Sequence, residues 1–249
     1  MKKIKDFLIA ILIIAAVGSL IVFIYDRGSK KINRELARQI AELSPRGGPP
    51  ETIEGLRQAI ALYENQIERN VREGAQTGVY WKILAIRLAD RKMHNDALSA
   101  LERAIYYNSE DAVLFYLTGV SAAHAAKAVI GFSANAQNEK ERLYKLAENG
   151  YLQALELDIT YTRPMYGLAV LYAFELDRPQ DAVTYLERYL RLSPSDIQAM
   201  FVLARAHFML QEYSRAVEVY DRILDRTRDK QYRDEALNNK DYIQGIIYG

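Results

Sequence analysis

Residues 81–109 read "WKILAIRLADRKMHNDALSALERAIYYNS", and the placing of their alanines decides the fold. Trp81, Leu84, Ala85 and Leu88 are three and four apart, and so are Ala97, Leu101 and Ala104. That is the period of one buried helix face, not the alternation of a strand. Between the two runs, His94, Asn95 and Asp96 make a polar turn. Two short helices in a hairpin follow, each with a small residue beside a large one.

The pattern recurs down the chain. Trp81 and Phe115 stand 34 residues apart, as do Ala182 and Ala216. Gly119 takes the place of Ala85, followed by Ala147, Tyr151 and Ala154. Leu168, Ala169 and Tyr172 lead to Ala182, Leu186 and Tyr189, and Leu203, Ala204 and His207 lead to Ala216, Tyr220 and Ile223. A small residue where antiparallel helices cross lets the backbones approach, and the neighbouring ring fills the remaining gap. One hairpin cannot bury its apolar face alone, so such units stack.

The period and the order of large and small residues resemble the tetratricopeptide repeat family. The fold expected from that resemblance is all-α, a right-handed superhelix, or α-solenoid, of helix-turn-helix repeats, preceded by one N-terminal transmembrane helix. The repeats are placed at residues 78–111, 112–161, 162–195 and 197–230, with a leading helix at 52–74 and a polar-faced capping helix at 231–248. The second repeat carries about 16 extra residues around "AAHAAKAVIGFSANAQNEKERLYKL", so both its helices should be long and end in a tip near residues 131–138. Pro179 is suited to start the second helix of the third repeat.

Residues 7–25, "FLIAILIIAAVGSLIVFIY", carry no charge. As a helix they would span about 28 Å, near the hydrocarbon thickness of a bilayer. The apolar run continues past its only small residues, which favours an uncleaved signal anchor over a cleaved leader. Basic residues flank both ends; the short N-terminal tail favours an inside N-terminus, with the repeats outside the cytoplasm, in a periplasm if the cell is bacterial. The cytoplasmic face is the alternative. Residues 29–43 read as a juxtamembrane helix or coiled-coil seam, and "SPRGGPP" at 44–50 as a linker.

A net charge of +1 and the absence of cysteine argue against a nucleic-acid binder and exclude disulfides and thiolate chemistry. Arg222, Arg226, Arg228, Lys230 and Arg233 are interrupted by Asp221, Asp225 and Asp229, the pattern of a solvated face. The three histidines, His94, His124 and His207, lack the converging spacing of a metal site, and no nucleophile elbow or phosphate loop is present. The expectation is a non-enzyme, with no catalytic, metal or cofactor residues and no cofactor.

In tetratricopeptide proteins the first helix of each repeat lines a concave groove. That resemblance implies a partner-binding groove of Lys82, Ile86, Tyr116, Val120, Arg163, Tyr166, Val170, Phe201, Arg205 and Phe208. Members that clamp a terminal carboxylate use an Asn and basic residues; Ile86 and Gly167 replace two of these here, and Lys82 and Arg163 remain. The expected function is a membrane-anchored protein-protein interaction scaffold binding a helix or peptide of unknown identity. The alternatives are a carrier or sensor of a small apolar ligand, and an assembly factor acting as a homo-oligomer through residues 29–43.

Overall fold

The computed structural model describes residues 34–39, 41, 42, 52–131 and 133–249, in two compact units, Met1–Glu73 and Gly74–Gly249. The expected membrane span at residues 7–25 and the linker at 44–50 lie outside the described residues. Among the described residues no helix is long and apolar enough to cross a membrane. All regular structure described is helical: α1 (Ile53–Asp90), α2 (His94–Tyr107), α3 (Ala112–Ala128), α4 (Ala134–Leu157), α5 (Thr162–Phe174), α6 (Pro179–Leu192), α7 (Ile197–Met209), α8 (Tyr213–Arg226) and α9 (Lys230–Tyr248). A shorter helical stretch occupies 34–39 and 41–42.

In the unit from Gly74, successive helices from α2 to α9 pack on one another, α1 meets α2 through Ala85 against Ala100, Leu101 and Ala104, and α3 with α5 and α5 with α7 stack as first helices of consecutive hairpins. The alanines named above sit at the crossings: Ala85 is 2% exposed, and Ala97, Ala147, Ala169, Ala204 and Ala216 are fully buried. One apolar cluster runs from Ala122 to Ile243, and a smaller one joins Ala85, Ala100, Leu101, Ala104 and Leu114 under Trp81. Each wholly buried leucine, such as Leu101, Leu168 or Leu186, contributes roughly 1.5–3 kcal/mol.

The turns repeat as the helices do. Lys92, Asp177 and Gln211 all have positive φ (61°, 49° and 61°), each two residues before the second helix of its hairpin. This left-handed residue reverses the chain between short helices. Asp111, Ser133, Asp196 and Asp229 cap α3, α4, α7 and α9 through their side chains, satisfying otherwise unpaired N–H groups. Pro179 begins α6, where its missing N–H is not needed.

Three sequence expectations are corrected. The leading helix at 52–74 and the first helix of the first repeat are not separate, since α1 runs unbroken over 38 residues. Gly74 and Gly78, suited to a break, lie within it, and Gly78 serves close approach: a Cβ there would sit 2.8 Å from the Cβ of Tyr107 on α2. Leu84 is 44% exposed and does not join the inner face with Ala85 and Leu88. The helix meets the apolar cluster of its hairpin through Ala85, with Trp81 and Leu88 beside it. The capping helix is more mixed than a polar face: Leu237, Ile246 and Tyr248 on α9 are exposed alongside Gln231, Asp234, Glu235, Asn238 and Asp241.

The insertion lengthens both helices of its hairpin, α3 to 17 residues and α4 to 24, against 13 or 14 for α5 to α8. The tip is tighter than expected, because residues 134–138 are already helical and the reversal is made around Gly131, with φ of 130°.

Candidate functional site: two clefts on the first-helix face

The face formed by α3, α5 and α7 carries eight of the ten predicted groove residues, and the structure distributes them over two clefts. Tyr116, Val120, Arg163, Tyr166 and Val170 line the first, of about 300 Å³. Phe201, Arg205 and Phe208 line the second, of about 370 Å³. Lys82 instead donates a 2.7 Å hydrogen bond to Asp111, the residue that caps α3, and ties α1 to that cap. Ile86 is 37% exposed on α1.

Tyr151 of α4 is the floor of the first cleft, held by glycines. A Cβ on Gly119 would lie 2.5 Å from its ring, one on Gly167 2.7 Å from its Cζ, and one on Gly150 2.8 Å from the backbone N of Gly119 and O of Phe115. The α3–α4 crossing is therefore backbone against backbone, and the Tyr151 ring plugs the gap between α3 and α5. Burial, with Tyr116 alongside, raises the Tyr151 phenol well above its ordinary pKa. Tyr116 stands 6.1 Å from the Tyr151 ring and 5.4 Å from the ring of Tyr161. Tyr166 packs 5.5 Å from Tyr189, whose hydroxyl donates to Asp196 at 2.6 Å; burial and that carboxylate push the Tyr189 pKa up to about 12.

The extended hairpin builds the cleft's other wall. His124 lines it from the last turn of an ordinary-length first helix, and the extra turn adds Lys127, opposite Glu175 at the end of α5. Glu175 accepts from Lys127 at 2.9 Å and from the Tyr144 hydroxyl. Burial alone would raise the Glu175 pKa, but these hydrogen bonds and the charges of Lys127 and Lys140 outweigh it and hold the carboxyl below its usual range. One turn away, Tyr172 donates to Glu148 at 2.8 Å and Arg178 pairs with the same carboxylate at 2.6 Å. These two acid-centred networks brace α3 and α4 against α5 and its turn. The first cleft thus offers tyrosine faces, the Arg163 and Lys127 cations and one compensated carboxylate.

The second cleft is more aromatic. Phe201 meets Tyr220 at 6.0 Å and Tyr232 at 6.2 Å, and Phe208 meets Tyr213 at 5.7 Å and Tyr242 at 6.2 Å. Arg205 lies 4.5 Å over the Phe174 ring, a cation–π contact. Glu235 and Asn239 on α9 supply its polar rim.

Sequence reasoning missed the residues that other helices contribute, Tyr151, Tyr220, Glu235, Asn239 and Tyr242. It also missed His124, Lys127 and Glu175. Running the spacing from Tyr116 and Val120 one turn further along a lengthened α3 reaches His124 and Lys127. His94 is not a simple turn residue: it opens α2 and stacks on His124 with ring centroids 4.9 Å apart. His207 is buried and pairs with Glu212 at 2.7 Å. Among the described residues no group of three or more acidic, histidine or cysteine side chains converges as a metal site would require.

A tetratricopeptide-repeat family model matches residues 168–231, from within α5 to the start of α9. No curated protein matches the chain by sequence. Among solved structures, the chain is similar to YrrB, a tetratricopeptide protein with an unusual peptide-binding site, at 18% identity over 72% of this chain and 82% of YrrB, with a TM-score of 0.54. It is also similar to MamA, at 16% identity over 77% of this chain and 92% of MamA (TM-score 0.50), and to MamA from residue 41 to its end from Desulfovibrio magneticus RS-1, at 15% identity over 69% and 93% (TM-score 0.52). The fold is an all-α helical repeat of the tetratricopeptide type.

Proposed function

We propose that this tetratricopeptide-type repeat is a membrane-anchored interaction scaffold, and that its first-helix face receives a helix or extended segment of a partner protein. The observation that carries the reading is that α3, α5 and α7 carry two ring-lined clefts, because half-buried aromatic side chains in a concave lining with a few placed cations are the composition of a partner site. YrrB, of similar fold, has a peptide-binding site, which supports the same use of the surface here. The chemistry favours a segment with spaced apolar side chains for the tyrosine and phenylalanine faces and an acidic group for Arg163. The reading includes no catalytic step and no cofactor.

Anchoring rests on the charge-free run at residues 7–25, and the extracytoplasmic placing on the short tail before it. Reporter fusions after Gly249 should be active only outside the cytoplasm; activity confined to the cytoplasm would reverse the orientation. The groove is tested by affinity capture from detergent extract with wild type and the double variant Tyr166→Ala, Phe201→Ala, both checked for equal helix content. Loss of the captured partners is expected, and identical partner sets would overturn the groove reading. The aromatic C-terminal cleft, about 370 Å³ and within the size range of small-molecule sites, favours one second reading, capture of a small apolar ligand. Native mass spectrometry of the protein purified from its own membrane would then show a bound molecule, lost in Phe208→Ala.

A further inference from the structure

In the N-terminal unit, one stripe of α1 is apolar and open. Ile53, Leu56, Ile60, Tyr63, Ile67 and Val71 are 73%, 42%, 55%, 52%, 60% and 66% exposed. Their spacing is that of a heptad seam: Ile53, Ile60 and Ile67 fall at the first core position, Leu56 and Tyr63 at the second, and Asn70 continues the second series. The helical stretch at 34–39 faces α1 across a different stripe, with Leu62, Asn65, Arg69 and Arg72. We propose that this seam pairs with the same seam of a second copy of the chain as a parallel two-stranded coiled coil.

Three features select that occupant. Isoleucine at all three first core positions, with Leu56 at one of the second, is the combination that favours two strands. The positions that flank a parallel seam would pair Thr52 with Arg57, Ala59 with Glu64 and Gln66 with Val71, so no like charges meet. The exposed fractions amount to about three and a half whole side chains per copy. At about 150 Å² for each large side chain, two copies carry on the order of 1,000 Å² of apolar surface on the seam, the area a specific interface needs. A lipid surface is the poorer occupant, since residues 53–73 hold four glutamates against three arginines, where an interfacial helix would be basic.

The chain has no cysteine, so single cysteines report the seam without background. In the full-length chain in mild detergent, Ile53→Cys and Ile67→Cys should each give disulfide-linked dimers on mild oxidation, while Gln58→Cys, on another face of the helix, stays uncrosslinked. Crosslinking at neither seam position, or equally at all three, overturns the proposal, and crosslinking at only one overturns the parallel register. Sedimentation should give a mass twice that of one chain for wild type and a single-chain mass for Ile60→Asp, Ile67→Asp with unchanged helix content. A monomeric wild type, or a variant that remains dimeric, refutes the pairing.

Discussion

Tyr151 and Tyr220 occupy the same place in their hairpins, four residues after Ala147 and Ala216, and each floors a cleft. Each is 5% exposed, and each meets the first-helix ring beside it at nearly the same separation, 6.1 Å to Tyr116 and 6.0 Å to Phe201. What lies behind them differs. Gly119 and Gly167 make room for the Tyr151 ring between α3 and α5, whereas the place of Gly119 is taken by Ala204 behind Tyr220. The Tyr220 ring is instead one member of an aromatic cluster closed by α9. One repeat position therefore makes a rigid plug where glycines receive it, and part of an adaptable lining where an alanine does not.

The largest expected effect comes from removing the plug. Tyr151→Ala should destabilise the fold by about 3–5 kcal/mol, the range for deleting a buried aromatic side chain, because its rigid glycine-lined site cannot collapse. Tyr220→Ala should lie at the lower end of that range, since Phe201, Tyr232 and Tyr242 can move into the space. Thermal melts of the two variants compare them directly. Equal losses would break the distinction.

Next in size is Gly150→Ala. The added carbon would lie 2.8 Å from backbone atoms of Gly119 and Phe115, so α3 and α4 must separate, at about 1–3 kcal/mol. Gly167→Ala meets only the Tyr151 ring, at 2.7 Å from Cζ, and should be milder. If Gly167→Ala proves the worse of the two in the same melts, the ring rather than the backbone crossing limits the junction.

The alternation of small and large residues was enough to read the hairpins, because close helix crossings require small residues at fixed places whatever surrounds them. The first-helix register also located Tyr116, Tyr166 and Phe201 on one face, since their side-chain directions follow from helical geometry alone. Tyr151 and Tyr220 reach that face from second helices, through gaps that depend on how α3, α5, α7 and α9 stack, and no local period encodes a contact across that distance. The continuity of α1 was hidden for the opposite reason. Gly74 and Gly78 disfavour a helix locally by roughly 1 kcal/mol each, and the packing of α2 against Gly78 overrides them.

The smallest effect sharpens the contrast at the edge of the first cleft, where the hairpin carrying Tyr151 meets the first repeat. Burial, and then the positive charges that His124 in its protonated form and Lys92 would place nearby, lower the His94 pKa. The Nδ1 of His94 is buried without a partner, so the folded state favours the neutral ring. A histidine lowered in the folded state binds fewer protons folded than unfolded. Its contribution is whole above its ordinary value near 6.5 and is lost as pH falls from there through the folded pKa. Melts in matched buffers at pH 7.5 and 5.0 should therefore show a larger acid loss for wild type than for His94→Gln, which keeps a polar side chain at the start of α2 without the titration. No seam or plug is touched by that change, so Tyr151→Ala should keep the same acid loss as wild type; if it does not, the stacked histidines and the plug form one cooperative element.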